Sequence, residues 1–306
     1  MVRMVRNFVS RIRSLKREKN AVILAHNYVR GEIQNISDFV GDSLELARCA
    51  METDSDVIVF CGVDFMAETA SILNPDKKVL IPDLGSICPM AQMLAREDLI
   101  EAKEAYHGAD VVLYINTLAD CKALADCVCT SANAPEVVEA MKSDTVIFGP
   151  DLNLARFVEK RTSKKIIPVP EYGLCPTHHQ ISADDVLVGK KKHPGAEVVV
   201  HPECVLEVQE MADCIASTSG MVRYCSISDV DEFLIGTEIG LIYRLERELP
   251  EKQFYPVSES AVCPQMKMHT LKKVEMALEL ERPIVAVQRE IGDAAREAIE
   301  RMLRLS

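Results

Sequence analysis

Three short stretches decide how this chain folds: Ser86-Ile87-Cys88-Pro89, Gly173-Leu174-Cys175-Pro176 and Ala261-Val262-Cys263-Pro264. Their cysteines stand 87 and 88 residues apart. Working outward, the same step recurs. The runs AVILAHNY, VVLYINT and VVVHPE put His26, Tyr114 and His201 in register at steps of 88 and 87. Ser43, Ser131 and Thr218 repeat at 88 and 87, and Gly62, Gly149 and Gly236 close apolar runs at steps of 87. Four equivalent positions in three copies are the mark of an internal repeat.

Each copy reads as strand, helix, Ser/Thr turn, helix, strand, helix, strand, cysteine. DVIVFCG and KVLIPD are β-rich runs bounded by Gly, Pro and Asp, whereas SLELARCAMET and DFMAETASIL carry apolar residues at helical spacing. Such alternation predicts α/β architecture: three similar three-layer αβα domains with parallel sheets, related by pseudo-threefold symmetry around a central site. The expected bounds are 1–106 (with an N-terminal helix), 107–194, 195–282 and a segment 283–306 that packs back on the body. Lys190–Lys192 reads as a surface linker, and QMKMHTLKKVEMALELE as one helix leading into PIVAV and a last amphipathic helix.

Composition narrows the function. Of 306 residues 35 are Lys or Arg and 47 Asp or Glu, a net charge of −12, which argues against general affinity for nucleic acid or anionic membranes. The basic run Arg3 to Lys19 reads as a solvated helix face, because no apolar h-region follows it. No stretch approaches the roughly 20 apolar residues of a membrane span. Eleven cysteines without a signal peptide suggest a reducing, cytoplasmic setting in which thiols stay free, so metal binding outranks a disulfide framework. Cysteines 49, 61, 121, 127, 129, 204, 214 and 225 lie mostly in apolar contexts and read as buried thiols.

In open α/β units ligands gather beyond the carboxyl ends of parallel strands, where all the residues in register lie. Cys88, Cys175 and Cys263 are thus expected to meet as three thiolates with one coordination position left open. An iron–sulfur cluster and a cysteine-bound zinc both suit such a set. His26, Tyr114, His201 and Glu203 are candidates for proton transfer, and alternation puts Tyr28 and Asn116 on the same side. Ser43, Ser131 and Thr218 precede helices, where a hydroxyl is first an N-cap. Three helix N-termini meeting at one centre would also hold carboxylates or phosphate. His178, three residues after Cys175, reads as a contact to substrate or to a ligand rather than as a metal ligand.

AHNY, GDSLELA, YINT, CTSANA, HPEC, STSG and CPQMK together resemble the quinolinate synthase family, from about residue 20 to the end. The resemblance implies a triangular arrangement of three α/β domains around a 4Fe-4S cluster held by Cys88, Cys175 and Cys263. It implies condensation of iminoaspartate with dihydroxyacetone phosphate, losing phosphate and two waters, to give quinolinate for NAD. An aspartate-oxidising enzyme would supply the iminoaspartate. It also implies active-site places for His26, Tyr28, Tyr114, His201 and Glu203 as catalytic groups, and for Ser43, Asn116, Ser131, His178 and Thr218 as substrate contacts. No cysteine follows Cys263, so the regulatory C-terminal disulfide of some members is not expected. A non-catalytic iron–sulfur carrier or sensor and a zinc hydrolase are the rival classes.

Overall fold

The structure, a computed structural model, describes residues 2–305. Three four-stranded sheets make up its frame. The first contains β1 (Ala21–His26), β2 (Phe39–Gly41), β3 (Val57–Cys61) and β4 (Lys78–Leu80) in the order β2-β1-β3-β4. The second contains β5 (Asp110–Tyr114), β6 (Cys127–Cys129), β7 (Thr145–Gly149) and β8 (Lys165–Pro168) in the order β6-β5-β7-β8. The third contains β9 (Glu197–Val200), β10 (Cys214–Ile215), β11 (Glu232–Gly236) and β12 (Gln253–Pro256) in the order β10-β9-β11-β12. Every pairing between these strands is parallel, and helices flank the sheets. Three similar αβα domains are therefore present.

The central strands are continuous apolar runs because both faces are covered: Ile23, Leu24, Val59, Val112 and Val199 are fully buried. Each contributes about 1.5–3 kcal/mol of transfer free energy. The edge strands β2, β6 and β10 escaped the sequence reading, because two or three residues carry no usable alternation. A half-buried contact repeated three times places them. The Asp before each short strand accepts the backbone N–H of the neighbouring strand: Asp38 from Ile23 at 2.7 Å, Asp126 from Val111 at 2.7 Å and Asp213 from Val198 at 2.8 Å.

Two further expectations need correction. Lys190–Lys192 is no linker but the last turn of the helix Ala183–Lys192, where basic side chains meet the negative end of the helix dipole. The single helix expected over 265–281 is broken at His269, whose extended backbone separates a 3-10 turn, Met266–Met268, from the helix Leu271–Leu280. Thr270 caps that helix by accepting the Lys273 N–H, and buried His269 hydrogen-bonds the Gly62 carbonyl at 2.7 Å. Beyond it, Ile284 bridges antiparallel to Leu80.

The helix Arg289–Arg304 packs on β6 and on the helices Ala119–Lys122 and Asp64–Leu73, and Val2–Glu18 packs on Leu271–Leu280. Among the described residues no helix is long and apolar enough to cross a membrane.

Candidate active site

His26 and Tyr114 end β1 and β5, and His201 directly follows β9, so the first strand of each unit delivers one ring to the same region. Every candidate named from the sequence lines a single cavity of about 220 Å³: Cys88, Cys175, Cys263, His26, Tyr28, Ser43, Tyr114, Asn116, Ser131, His178, His201, Glu203 and Thr218. Thr130, Asp42 and Gln265 also line it, with Val63, Phe65 and Met66 as an apolar wall.

The hydroxyl residues are not the helix caps they were expected to be. Asp42 caps the helix Ser43–Glu52 in a capping box with Glu45, and Ser217 caps Thr218–Ile227. Asn133 precedes Ala134–Glu139 and accepts from the Thr130 N–H at 2.7 Å. A neighbour performs the capping in the first and third copies, no side chain caps the helix in the second, and Ser43, Ser131 and Thr218 are left to the cavity. Asn116 carries a buried Oδ1 with no hydrogen-bond partner, an acceptor that costs free energy until a ligand satisfies it.

Glu203 is the hub. Its Oε1 accepts from the Tyr114 hydroxyl at 2.6 Å, and its Oε2 lies 2.6 Å from His178 Nδ1. Burial alone would push its carboxyl up. The imidazoles of His178 and His201, with the hydrogen bonds from His178 and Tyr114, outweigh that and hold it well below the usual carboxylate range. Once Nδ1–H of His178 serves Glu203, Nε2 is the acceptor, and it faces Thr237 Oγ1 at 2.8 Å. The same Oγ1 is 2.5 Å from the Tyr28 hydroxyl. The hydrogen-bond network therefore assigns a continuous relay, Tyr28 to Thr237 to His178 to Glu203, met from the other side by Tyr114. Burial pushes both tyrosine hydroxyls well up, so they enter the relay as donors.

His26 and His201 share one geometry. Each Nδ1 accepts a backbone N–H two residues on, from Tyr28 at 3.2 Å and from Glu203 at 3.3 Å. This leaves Nε2–H as the donor, which in His201 meets Ser131 Oγ at 3.1 Å. Burial brings both rings down to about 3, so at neutral pH they are uncharged N–H donors.

The three cysteines come one from each repeat copy, and burial pushes all three thiols up. A metal bound there must displace their protons. Their donor set fits a thiolate-ligated iron–sulfur group: soft sulfur from three loops, inside a cavity with an apolar wall. Cys175, His178 and Glu203 also bring one ligand atom each within 4.8 Å of one another. However, His178 and Glu203 already spend those atoms on each other and on Tyr114, and a metal there would break the relay. All eleven cysteines are free; of the eight outside the cavity, six are buried, while Cys49 and Cys214 are half-buried.

The sequence reading missed Thr237 and the carboxylates Asp64, Asp151 and Glu238. Those three acids stand two residues after Gly62, Gly149 and Gly236, so the repeat held the signal at steps of 87. Thr237 gave none, since Val63 and Pro150 occupy its place in the other copies.

A family model described as Quinolinate synthetase A protein matches residues 10–304. A quinolinate synthase of Methanothermobacter thermautotrophicus is 55% identical over 293 residues, covering 95% of this chain and 96% of its own. Proteins of the same name from Methanocaldococcus jannaschii and Pyrococcus horikoshii are each 54% identical, the first over 304 residues and the second over 300, covering 98% of this chain and 99% of theirs.

Proposed function

The chain belongs to the quinolinate synthetase A family of enzymes, and from that premise we propose that it condenses iminoaspartate with dihydroxyacetone phosphate. Loss of phosphate and two waters gives quinolinate, a step toward the pyridine ring of NAD. An aspartate-oxidising enzyme supplies the iminoaspartate, and the reaction runs in the cytoplasm, where thiols stay free as all eleven do here. The proposed domain bounds remain 1–106, 107–194, 195–282 and 283–306.

Cys88, Cys175 and Cys263 would hold a 4Fe-4S cluster. When bound, it supplies a Lewis-acidic iron with one coordination position free of protein. The rest of the reading concerns the chain's own residues. Ser43 and Thr218, each the first residue of a helix, and Ser131, in the turn before Ala134–Glu139, hold substrate carboxylates or phosphate. Asn116 Oδ1 accepts from the three-carbon partner and so gains the bond it lacks. His26 and His201 donate Nε2–H to substrate oxygen. Glu203 is the proton acceptor at the end of the relay: Tyr28, Thr237 and His178 can pass a proton toward it in turn, and Tyr114 donates to it from the other side.

The observation that carries this reading is the convergence of one thiol per repeat copy with the Glu203 relay in one cavity. The test is quinolinate formation from the two substrates by anaerobically reconstituted protein, alongside iron, sulfide and zinc analysis. Turnover with iron and acid-labile sulfide supports the proposal. Zinc without sulfide points to the hydrolase class, and a reducible cluster without turnover points to a carrier or sensor.

A further inference from the structure

The three cysteine loops share a contact that neither the repeat reading nor the proposed chemistry uses. Asp64 Oδ1 accepts the backbone N–H of Cys88 at 2.9 Å, Asp151 Oδ2 that of Cys175 at 2.9 Å, and Glu238 Oε1 that of Cys263 at 3.1 Å. Each acid follows the end of a central strand, two residues past its glycine, and spans 24 or 25 residues to its cysteine. We propose that Asp64, Asp151 and Glu238 are positioning residues that fix the three cysteine loops to their sheets in the geometry a shared metal centre requires. The proposal rests on the reading of Cys88, Cys175 and Cys263 as metal ligands.

The argument is physical. The cysteines lie outside helix and strand, so the N–H of each must find a partner beyond regular pairing or bear the cost of an unmade hydrogen bond. A carboxyl oxygen two residues past the strand-ending glycine supplies that partner, and it accepts the N–H in either protonation state. Burying a carboxyl group is costly unless its oxygens are hydrogen-bonded, and Asp151 and Glu238 are fully buried. Their surroundings are arranged to offset the cost. The other oxygen of Asp151 accepts the Leu154 N–H at 2.7 Å, Glu238 Oε2 accepts the Gly240 N–H at 2.7 Å and meets Lys267, and Asp64 Oδ2 accepts from Gln92 at 2.9 Å. Both oxygens of every acid are engaged, so each side chain is held and passes the rigidity of its sheet to its loop. Partners that orient metal ligands typically cost 10–100-fold in metal affinity when removed.

The test uses the full chain loaded anaerobically with iron and sulfide, and follows iron release to a ferrous chelator. Asp64→Ala, Asp151→Ala and Glu238→Ala are compared one at a time with wild type. Each should lose iron roughly 10-fold faster or more, whereas Asp64→Asn, Asp151→Asn and Glu238→Gln, which keep one acceptor oxygen for the cysteine N–H but lose the other, should fall between the alanine variants and wild type. Amide hydrogen exchange on the unaltered protein supplies a readout that needs no variant to fold: the Cys88, Cys175 and Cys263 amides should exchange as slowly as sheet amides. Alanine variants that hold iron as long as wild type, or cysteine amides that exchange like open loop, would overturn the proposal. A wild type that takes up no iron would instead defeat the metal-ligand reading, and the exchange rates would still judge the carboxylate contacts.

Discussion

The two ends of each repeat copy behave differently. At the cysteine loops the three copies agree in detail: a strand-ending glycine, an acid two residues on, and that acid on the cysteine N–H. At the ends of the first strands they diverge, into His26 with Tyr28, Tyr114 with Asn116, and His201 with Glu203. A centre held by three equal thiols calls for the first kind of sameness. On the proposed reading, two dissimilar substrates and several proton transfers would call for the second kind of difference. On that reading, duplication supplied the holder and divergence the chemistry.

The difference can be broken first on its divergent side. Glu203→Gln keeps the shape but removes the base at the hub of the relay, so kcat should fall by about 10³, within the range for general acid–base catalysis, with iron content unchanged. Steady-state kinetics beside iron analysis checks this, and a joint loss of iron would put Glu203 on the holder side instead.

The symmetric side has one weak copy. A Cβ on Gly173 would sit 1.8 Å from the Pro150 carbonyl oxygen, whereas Ala261 already occupies the equivalent place in the third copy. Gly173→Ala should therefore destabilise the protein by about 3 kcal/mol, as overpacking does, and Ala261→Gly by about 1 kcal/mol or less. Urea unfolding of both variants would show the contrast.

Thr237 sharpens the comparison further, since the other copies have Val63 and Pro150 where it stands. Thr237→Val removes only the hydroxyl between Tyr28 and His178, and should lower kcat by roughly 30-fold with KM nearly unchanged. Thr237→Ser should restore most of the rate.

The smallest effect concerns Lys122, which stands in the register of Gln34 and Gln209. Those two amides donate to backbone carbonyls of the loops after β1 and β9. Buried Lys122 instead donates to Thr69 Oγ1 at 2.9 Å, across to the first unit. Burial lowers its amine to about 8, against 10.5 in an unfolded chain. Between those values the unfolded chain binds the proton that the folded chain has released, so raising the pH favours folding. Wild type should gain about 2 kcal/mol relative to Lys122→Gln between pH 8 and 10, as urea unfolding at the two pH values would show.

Much of this was legible in the sequence for a physical reason. Parallel strands buried on both faces write long apolar runs, and a threefold repeat writes each functional position three times, so the cysteines, the first-strand rings and the hydroxyl turns stood out in register. Contacts made in space alone were not legible. Nothing in Asp64 or Asp151 says that its carboxylate turns back to a cysteine N–H. The hydroxyls passed for caps because Ser and Thr favour helix starts, although Asp42 and Ser217 do the capping. The edge strands were too short to alternate, and the break at His269 arises from its bond to Gly62, a residue far away in sequence.

The most direct test of the central claim, three thiols from three copies serving one metal centre, is iron and acid-labile sulfide content of anaerobically reconstituted protein with Cys88→Ala, Cys175→Ala and Cys263→Ala made singly. About four irons and four sulfides per chain are expected in wild type, with loss of the cluster in each variant. A single variant that keeps a full complement of both would contradict the account.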